Sequence, residues 1–183
     1  MKALVIVDIQ ADYFPGGRME LVGSPEAAAQ AARLLFAFRD KGWPVFHVRH
    51  ESTRPGSTFF LPGTPGAEFH PLVQPRPGEA VVLKRFPNSF RDTPLLDLLR
   101  EAGVRELVVC GMMTHMCVDA TVRAAFDLGF GCVVPVDACA TRALSFQGAA
   151  IPAAQVHGAF LAALGAVYCR LVTTSECLEL LES

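Results

Sequence analysis

Short apolar runs alternate with amphipathic segments along this chain, and that alternation restricts the fold more than any other feature of the sequence. The runs are continuously apolar, which is typical of strands that helices cover on both faces of a parallel sheet. They are Ala3–Val7, Val45–Val48, Val81–Leu83, Glu106–Cys110, Cys132–Val136 and Val167–Val172. The pattern predicts an α/β protein: a three-layer α/β/α, Rossmann-like domain with right-handed crossovers. A length of 183 residues favours a single domain over residues 1–183.

The segments between the runs carry signals for the ends of helices. Ser24 supplies an N-cap and Pro25 a first helical residue, and Gly42 can end this first helix. The other signals are Thr93-Pro94 with Gly103 for a second helix, Thr114 with Gly129 for a third, Pro152 to Leu164 before Gly165 for a fourth, and a capping box over Thr173-Thr174-Ser175-Glu176 for a short closing helix.

Charge and composition exclude several classes of protein. The 16 basic and 18 acidic residues give a net charge of −2, which provides no electrostatic footprint for nucleic acid or an anionic membrane. The first apolar run is interrupted by Asp8, so it is too short for a signal peptide or a membrane span. We therefore expect a cytoplasmic protein that binds neither nucleic acid nor membrane.

The segment from Glu51 to Gly78 is rich in proline and glycine and has no helical or strand periodicity. Loops of this length in compact domains are usually binding loops or lids. Its aromatic residues, Phe59, Phe60 and Phe69, need a surface to cover. That surface is either the protein's own pocket or a partner subunit, and the apolar loop and the alanine-rich last helices predict a homo-oligomer, a dimer or a tetramer.

Reactive side chains follow three of the apolar runs. Asp8 ends the first run, Lys84 ends the third, and Cys117 lies shortly after the fourth. Ligands in open α/β sheets bind beyond the carboxyl ends of the strands, so these groups should meet at one edge. With Thr114 as N-cap, Cys117 occupies the first helical turn, where the helix dipole and Lys84 are expected to lower the pKa of the thiol.

These residues resemble the signature segments of the isochorismatase-like cysteine hydrolase family. The matching segments are Asp8-Ile9-Gln10-Ala11-Asp12-Tyr13, Lys84 and Gly111-Met112-Met113-Thr114-His115-Met116-Cys117. The resemblance implies a six-stranded parallel sheet of order 3-2-1-4-5-6 and a catalytic triad of Cys117, Asp8 and Lys84. It also implies a cis peptide between Met112 and Met113, and an oxyanion hole formed by the N–H groups of Met113 and Cys117.

The resemblance implies a chemical mechanism as well. The Cys117 thiolate attacks a carbonyl carbon, Asp8 protonates the departing amine, and a water activated by Asp8 hydrolyses the thioester. Family members that hydrolyse nicotinamide carry a metal-binding Asp-x-His pair after the second strand, where this chain has His50 and Ser52. We therefore expect no metal and no other cofactor, although His47, His50, Glu51 and His70 are conceivable ligands and His47 is more typical of a core residue.

The residues just beyond the strand ends are candidates for the substrate pocket: Tyr13, His50, Phe90 and His115. An aromatic wall with few charges suits a small, flat, neutral substrate, whereas Arg49 and Arg85 leave room for a carboxylate.

Three functions remain open at this stage. The first is a cysteine hydrolase that cleaves an amide, ureido or carbamoyl C–N bond of a small molecule. The second is an isochorismatase-type vinyl-ether hydrolase, which needs the acid but no thiol. The third is a non-catalytic protein that binds a small molecule or senses thiol chemistry.

Overall fold

The computed structural model describes residues 1–182 and is built around a parallel β-sheet. The strands are β1 (Lys2–Val7), β2 (Val45–His50), β3 (Ala80–Lys84), β4 (Glu106–Met112), β5 (Gly131–Pro135), β6 (Cys139–Ala140), β7 (Leu144–Phe146), β8 (Ala149–Ile151) and β9 (Arg170–Val172). The main sheet runs in the order β3-β2-β1-β4-β5-β9, and every pair in it is parallel. The sixth apolar run of the sequence forms β9, so the predicted order is confirmed.

Helices cover both faces of this sheet. They are α1 (Ser24–Asp40), α2 (Leu95–Glu101), α3 (Asp119–Asp127), α4 (Ala153–Val167) and α5 (Thr174–Glu182). Buried residues of α1 and α5 join one core cluster, and those of α2, α3 and α4 join the other. The three-layer α/β/α prediction is therefore confirmed. Because β1 lies between the two helical layers, its residues from Ala3 to Val7 are all buried.

Local sequence signals predicted one helix start correctly and another with an error of one residue. The capping box is present: the backbone N–H of Thr173 donates to Glu176 Oε2 at 2.6 Å, and the N–H of Glu176 donates to Thr173 Oγ1 at 3.2 Å. In α1 the predicted cap is wrong by one residue. Gly23 is the N-cap in a left-handed conformation, whereas Ser24 begins the helix and donates its hydroxyl to Leu21 O at 3.3 Å.

The predicted end of α4 at Gly165 is also wrong, because the helix continues to Val167. A Cβ at Gly165 would lie 2.7 Å from Leu171 Cδ1. This glycine therefore allows a close approach between α4 and β9 and does not end the helix.

Three short strands were not predicted from the sequence. The two-residue β6 pairs with β4, and β7 and β8 form an antiparallel hairpin around Gln147 and Gly148. Large apolar side chains are exposed in this hairpin and at the end of α4: Phe146 is 67% exposed and Val167 is 62% exposed. The homo-oligomer stays a prediction.

No helix within residues 1–182 is long and apolar enough to cross a bilayer.

Candidate active site

The carboxyl ends of three strands bring the candidate reactive groups to one place. Asp8 follows β1, Lys84 is the last residue of β3, and Cys117 lies in a single π-helical turn, Thr114–Val118, between β4 and α3. Asp8 has a φ of 52°, a left-handed conformation that aspartate adopts more readily than most residues. The peptide bond between Met112 and Met113 is cis.

The Lys84 ammonium lies between the carboxylate and the thiol. Its Nζ is 2.7 Å from Asp8 Oδ2 and 3.1 Å from Cys117 Sγ. The Asp8 and Lys84 side chains are fully buried, and Cys117 is 5% exposed. Because both side chains are buried, water does not compete for either charge of this ion pair.

Two further acceptors surround Lys84. Its Nζ donates to the carbonyl oxygen of Phe86 at 3.1 Å and contacts His50 Nδ1 at 2.9 Å. An ammonium group has only donors, so His50 must accept at Nδ1. Burial, together with the charge of Lys84, lowers the pKa of His50 to about 4, which keeps its imidazole neutral near pH 7. His50 is thus placed to orient the lysine as well as to face the pocket.

The protonation of the thiol differs from the sequence-based expectation. Burial raises the pKa of Cys117, and the neighbouring Asp8 carboxylate adds to that rise, while Lys84 only partly opposes it. The predicted net lowering of the thiol pKa is therefore wrong, although Lys84 acts in the predicted direction. For Lys84, burial by itself lowers the pKa, but the charges of Asp8 and Cys117 raise it overall. Both shifts favour a protonated thiol beside a charged Lys84 ammonium.

The Asp8 carboxylate has hydrogen-bond acceptor sites that no group within residues 1–182 uses. Despite the short contact with Lys84, neither Asp8 carboxylate oxygen has a hydrogen-bond partner of good geometry among residues 1–182. One carboxylate oxygen lies within 4.8 Å of Cys117 Sγ. A carboxylate at this distance can take the proton from sulfur through one water or after a small movement of either side chain.

Hydrogen bonds of Thr114 and Met113 fix the turn that carries Cys117. Thr114 is the first residue of the turn, and its hydroxyl bonds to Ala140 O at 3.2 Å and His157 Nδ1 at 2.9 Å. The predicted role of Thr114 as N-cap is wrong, because its hydroxyl turns towards β6 and α4 instead of towards its own helix. The N–H groups of Met116 and Val118 both donate to Met113 O. These contacts hold the thiol at the floor of a pocket.

A cavity of about 180 Å³ opens above the thiol. It is lined by Tyr13, His50, Ser52, Arg54, Ser57, Phe59, Arg85, Pro87, Met113, Met116 and Cys117. Its volume equals that of about six water molecules in the liquid, which restricts the occupant to a small molecule. The lining is mostly apolar, as is usual for small-molecule sites.

Only two of the four predicted pocket residues lie in this lining. Tyr13 and His50 do, whereas Phe90 and His115 do not. Phe90 packs into the core on the α2–α3–α4 side, where its ring stacks on that of Phe130 with centroids 6.3 Å apart. His115 bonds through Nδ1 to Thr141 Oγ1 and presents its ring to the edge of Phe160. The structure corrects the pocket prediction at these two positions.

The proline-rich segment 51–78 closes the pocket of its own chain. Phe60 is completely buried, with its ring centroid 4.5 Å from that of Tyr13. Asp12 Oδ2 accepts the N–H of Phe60 at 2.7 Å, and a Cβ at Gly66 would overlap the Asp12 carboxylate. The sequence did not assign this buried aspartate a role, although its place in the first signature segment was a signal.

Gln10 joins the same segment to β2. Its Nε2 donates to His50 O at 2.9 Å and to Ala67 O at 2.7 Å, and its Oε1 accepts the N–H of His50 at 2.8 Å. All the polar atoms of this buried amide are used, so the loop and the strand end are fixed relative to each other. Sequence reasoning missed Gln10 too.

The conceivable metal ligands are mostly engaged elsewhere. His47 is buried and bonds to Glu79 Oε2 at 2.8 Å, which confirms it as a core histidine, and the ring of His70 stacks on that of Phe14 at 3.8 Å. Glu51 pairs with Arg49 at 3.0 Å. The ligand atoms of Asp8, His50 and Cys117 lie within 4.8 Å of one another, but the Lys84 ammonium contacts all three. These three groups, which are of the kinds that bind metal ions, thus surround the Lys84 ammonium.

Comparison with known proteins identifies the family of this chain. The family model of the isochorismatase domain matches residues 2–165. The chain belongs to the isochorismatase family. A family member from Bacillus subtilis (strain 168), the uncharacterised protein YddQ, is 50% identical over 177 residues, covering 97% of this chain and 98% of that protein.

Other relatives extend the match to structures and to a named activity. A crystal structure from Oleispira antarctica, assigned to the isochorismatase hydrolases, has a TM-score of 0.93 and 51% identity, covering 97% of this chain and 96% of that one. Streptothricin hydrolase from Streptomyces noursei is 43% identical over 142 residues, which cover 77% of this chain and 55% of that protein. Membership of this family indicates a hydrolase.

Proposed function

We propose that this isochorismatase-family protein is a cysteine hydrolase that cleaves an amide, ureido or carbamoyl C–N bond of a small molecule through a thioester. The observation that carries the proposal is the contact of one buried ammonium, Lys84 Nζ, with both Cys117 Sγ and Asp8 Oδ2 at the floor of a small cavity. An acid–base group, a thiol and a fixed cation are the parts that nucleophilic acyl transfer needs.

In the first half-reaction Asp8 takes the thiol proton as sulfur attacks the carbonyl carbon. Because burial raises the thiol pKa, the free thiolate is scarce, and proton transfer accompanies the formation of the C–S bond. Lys84 stays charged and stabilises the developing negative sulfur at 3.1 Å. The N–H groups of Met113 and Cys117 hold the oxyanion in this proposal. When the C–N bond breaks, Asp8 returns its proton to the departing nitrogen, which leaves as ammonia or an amine.

In the second half-reaction Asp8 acts once more as a base. It takes a proton from water, the resulting hydroxide attacks the thioester carbonyl, and the C–S bond breaks. The proton on Asp8 then returns to the Cys117 sulfur, so the enzyme regains its starting state and the product is a carboxylic or carbamic acid. One buried carboxylate with no other hydrogen-bond partner among residues 1–182 can serve both steps.

The vinyl-ether hydrolase is a second candidate, favoured by one observation. The raised pKa of Cys117 leaves a neutral thiol, and a reaction that needs only Asp8 as an acid would not require the sulfur. The two functions differ in their dependence on Cys117. A binding or thiol-sensing protein, the third candidate, would turn over neither class of substrate.

Hydrolysis of a panel of small amides, ureides and carbamates, followed by release of ammonia or the corresponding amine, tests the proposal, and hydrolysis of streptothricin is followed beside it by mass spectrometry. Cys117→Ala should lose several orders of magnitude in kcat/KM, because nucleophile removal abolishes the covalent route. Cys169→Ala, a thiol at the opposite end of the sheet, is the matched control and should keep wild-type activity. Activity that survives Cys117→Ala would contradict the nucleophile assignment and favour the ether hydrolase.

A further inference from the structure

We propose that the cavity selects substrates that carry a carboxylate close to the scissile C–N bond, and that Arg54 and Arg85 bind this carboxylate. The proposal rests on the C–N bond hydrolysis proposed above and adds the class of substrate to it.

The charge of the lining is the first observation. Arg54 and Arg85 are the charged side chains in the cavity wall, and no aspartate or glutamate belongs to it. The buried Asp8 lies below the wall and is neutralised by Lys84 at 2.7 Å. His50 is neutral because burial, Lys84 and Arg54 together lower its pKa to about 4. An occupant of the cavity therefore meets a net positive wall.

The second observation is that neither guanidinium is paired within residues 1–182. Arg39, Arg49 and Arg123 have carboxylate partners, at 2.7, 3.0 and 3.0 Å, but most other arginines in the described part of the chain have none. What distinguishes Arg54 and Arg85 is therefore their place. Both are exposed and lie in the wall of the same small cavity, where their guanidinium groups are open to an external anion.

The chemistry of the guanidinium favours a carboxylate as that anion. Its planar fork donates two parallel hydrogen bonds to a carboxylate, and it is more weakly hydrated than an ammonium group. The neighbouring wall residues Tyr13, Phe59 and Pro87 present apolar surface beside the two arginines, which lowers the local dielectric constant and so strengthens the attraction between opposite charges. The same wall repels a cationic substrate.

The positions of the two arginines suit a substrate aligned with the thiol. Arg85 directly follows Lys84 at the end of β3, so its backbone is fixed next to the reacting groups. Arg54 lies on the segment that covers the cavity, whose neighbours Ser52 and Ser57 are also in the wall. Arg49, which the sequence offered as the partner of Arg85, is instead engaged with Glu51 and lies outside the wall.

Three amides of equal length and different charge test the proposal: succinamate, butyramide and β-alaninamide. The wild-type protein should hydrolyse the anion with the highest kcat/KM and the cation with the lowest. Arg54→Gln and Arg85→Gln should each lower the ratio of kcat/KM for succinamate to kcat/KM for butyramide by about tenfold or more, as expected for losing a hydrogen-bonded charge. Arg100→Gln, an exposed arginine on α2, is the matched control and should leave this ratio unchanged.

Binding to the Cys117→Ala variant separates this proposal from the proposed reaction. Calorimetry should show tighter binding of succinamate than of butyramide, and the preference should disappear in Cys117→Ala/Arg85→Gln. If no amide is hydrolysed but this preference is found, the reaction is wrong and the anion site stands. Turnover with no preference for succinamate, or no binding of succinamate by Cys117→Ala, overturns the anion site and leaves the reaction in place.

Discussion

Replacing Lys84 by methionine should separate the structural role of the buried ion pair from its chemical role. Methionine retains the length and most of the volume of the lysine side chain but removes its charge. The Asp8 carboxylate, which is fully buried, then loses its one cationic partner within residues 1–182. The acceptors on His50 and Phe86 lose their donor as well.

The magnitude follows from the geometry of the pair. Two unit charges 2.7 Å apart attract by ~6 kcal/mol at an effective dielectric constant of ~20, and most of this offsets the cost of removing both ions from water. Breaking one side of such a pair leaves an unpaired buried charge and typically costs ~3–5 kcal/mol. Lys84→Met should lower the free energy of unfolding by that amount. Lys84→Met/Asp8→Asn removes both charges and should recover most of the loss.

Urea denaturation and activity measurements on the same variants test this reasoning. Both variants should be inactive, since the ammonium and the acid–base group are gone, even though the double variant is nearly as stable as wild type. Lys41→Met is the matched control: its lysine pairs with Glu182, which is 75% exposed, so the change should stay within about 1 kcal/mol. A double variant no more stable than Lys84→Met would refute the idea that an unpaired Asp8 charge causes the loss.

Further predictions concern acid stability and two glycines. Burial opposes the ionisation of Glu79, but hydrogen bonds led by Arg39 lower its pKa from 4.5 to about 2, so its stabilising effect is present above pH 4.5 and is lost as the pH falls towards 2. The free energy of unfolding of wild type should therefore fall more steeply over this range than that of Glu79→Gln, and equal slopes would contradict the assignment. Gly158→Ala, where a Cβ meets no atom within 4 Å, should stabilise α4 by about 0.5–1 kcal/mol in thermal unfolding. Gly66→Ala should instead cost ~1–3 kcal/mol and raise KM, because its Cβ overlaps the Asp12 carboxylate; a neutral effect would show that this loop yields more easily than its contacts indicate.

The sequence predicted those parts of the site that depend on strand ends. Asp8 and Lys84 each end an apolar run, and the carboxyl ends of parallel strands share one edge, so the sequence alone predicts that the two side chains lie close together. The position of Cys117 followed from the segment after β4. The direction of its pKa shift did not, because the depth of burial outweighs the nearby cation and depends on how the whole sheet packs.

The parts that depend on side-chain direction could not be read in this way. His50 was placed correctly after β2, but the sequence does not show that its ring turns towards Lys84. Phe90 and His115 have the right position along the chain, yet packing turns them away from the cavity. Segment 51–78 has no periodicity, and Arg54 enters the wall only because contacts elsewhere in the fold, such as that of Asp12 with Phe60, fix the loop.

The proposed reaction requires that the sulfur of residue 117 becomes acylated during turnover. Acid quenching during hydrolysis of a cleaved amide, followed by intact-mass and peptide analysis, measures this directly. We expect an added acyl group on Cys117, absent from Cys117→Ala and from the peptides that carry the other cysteines. Turnover in which no protein molecule gains that mass, or in which the group is found on another residue, would show that Cys117 is not the nucleophile.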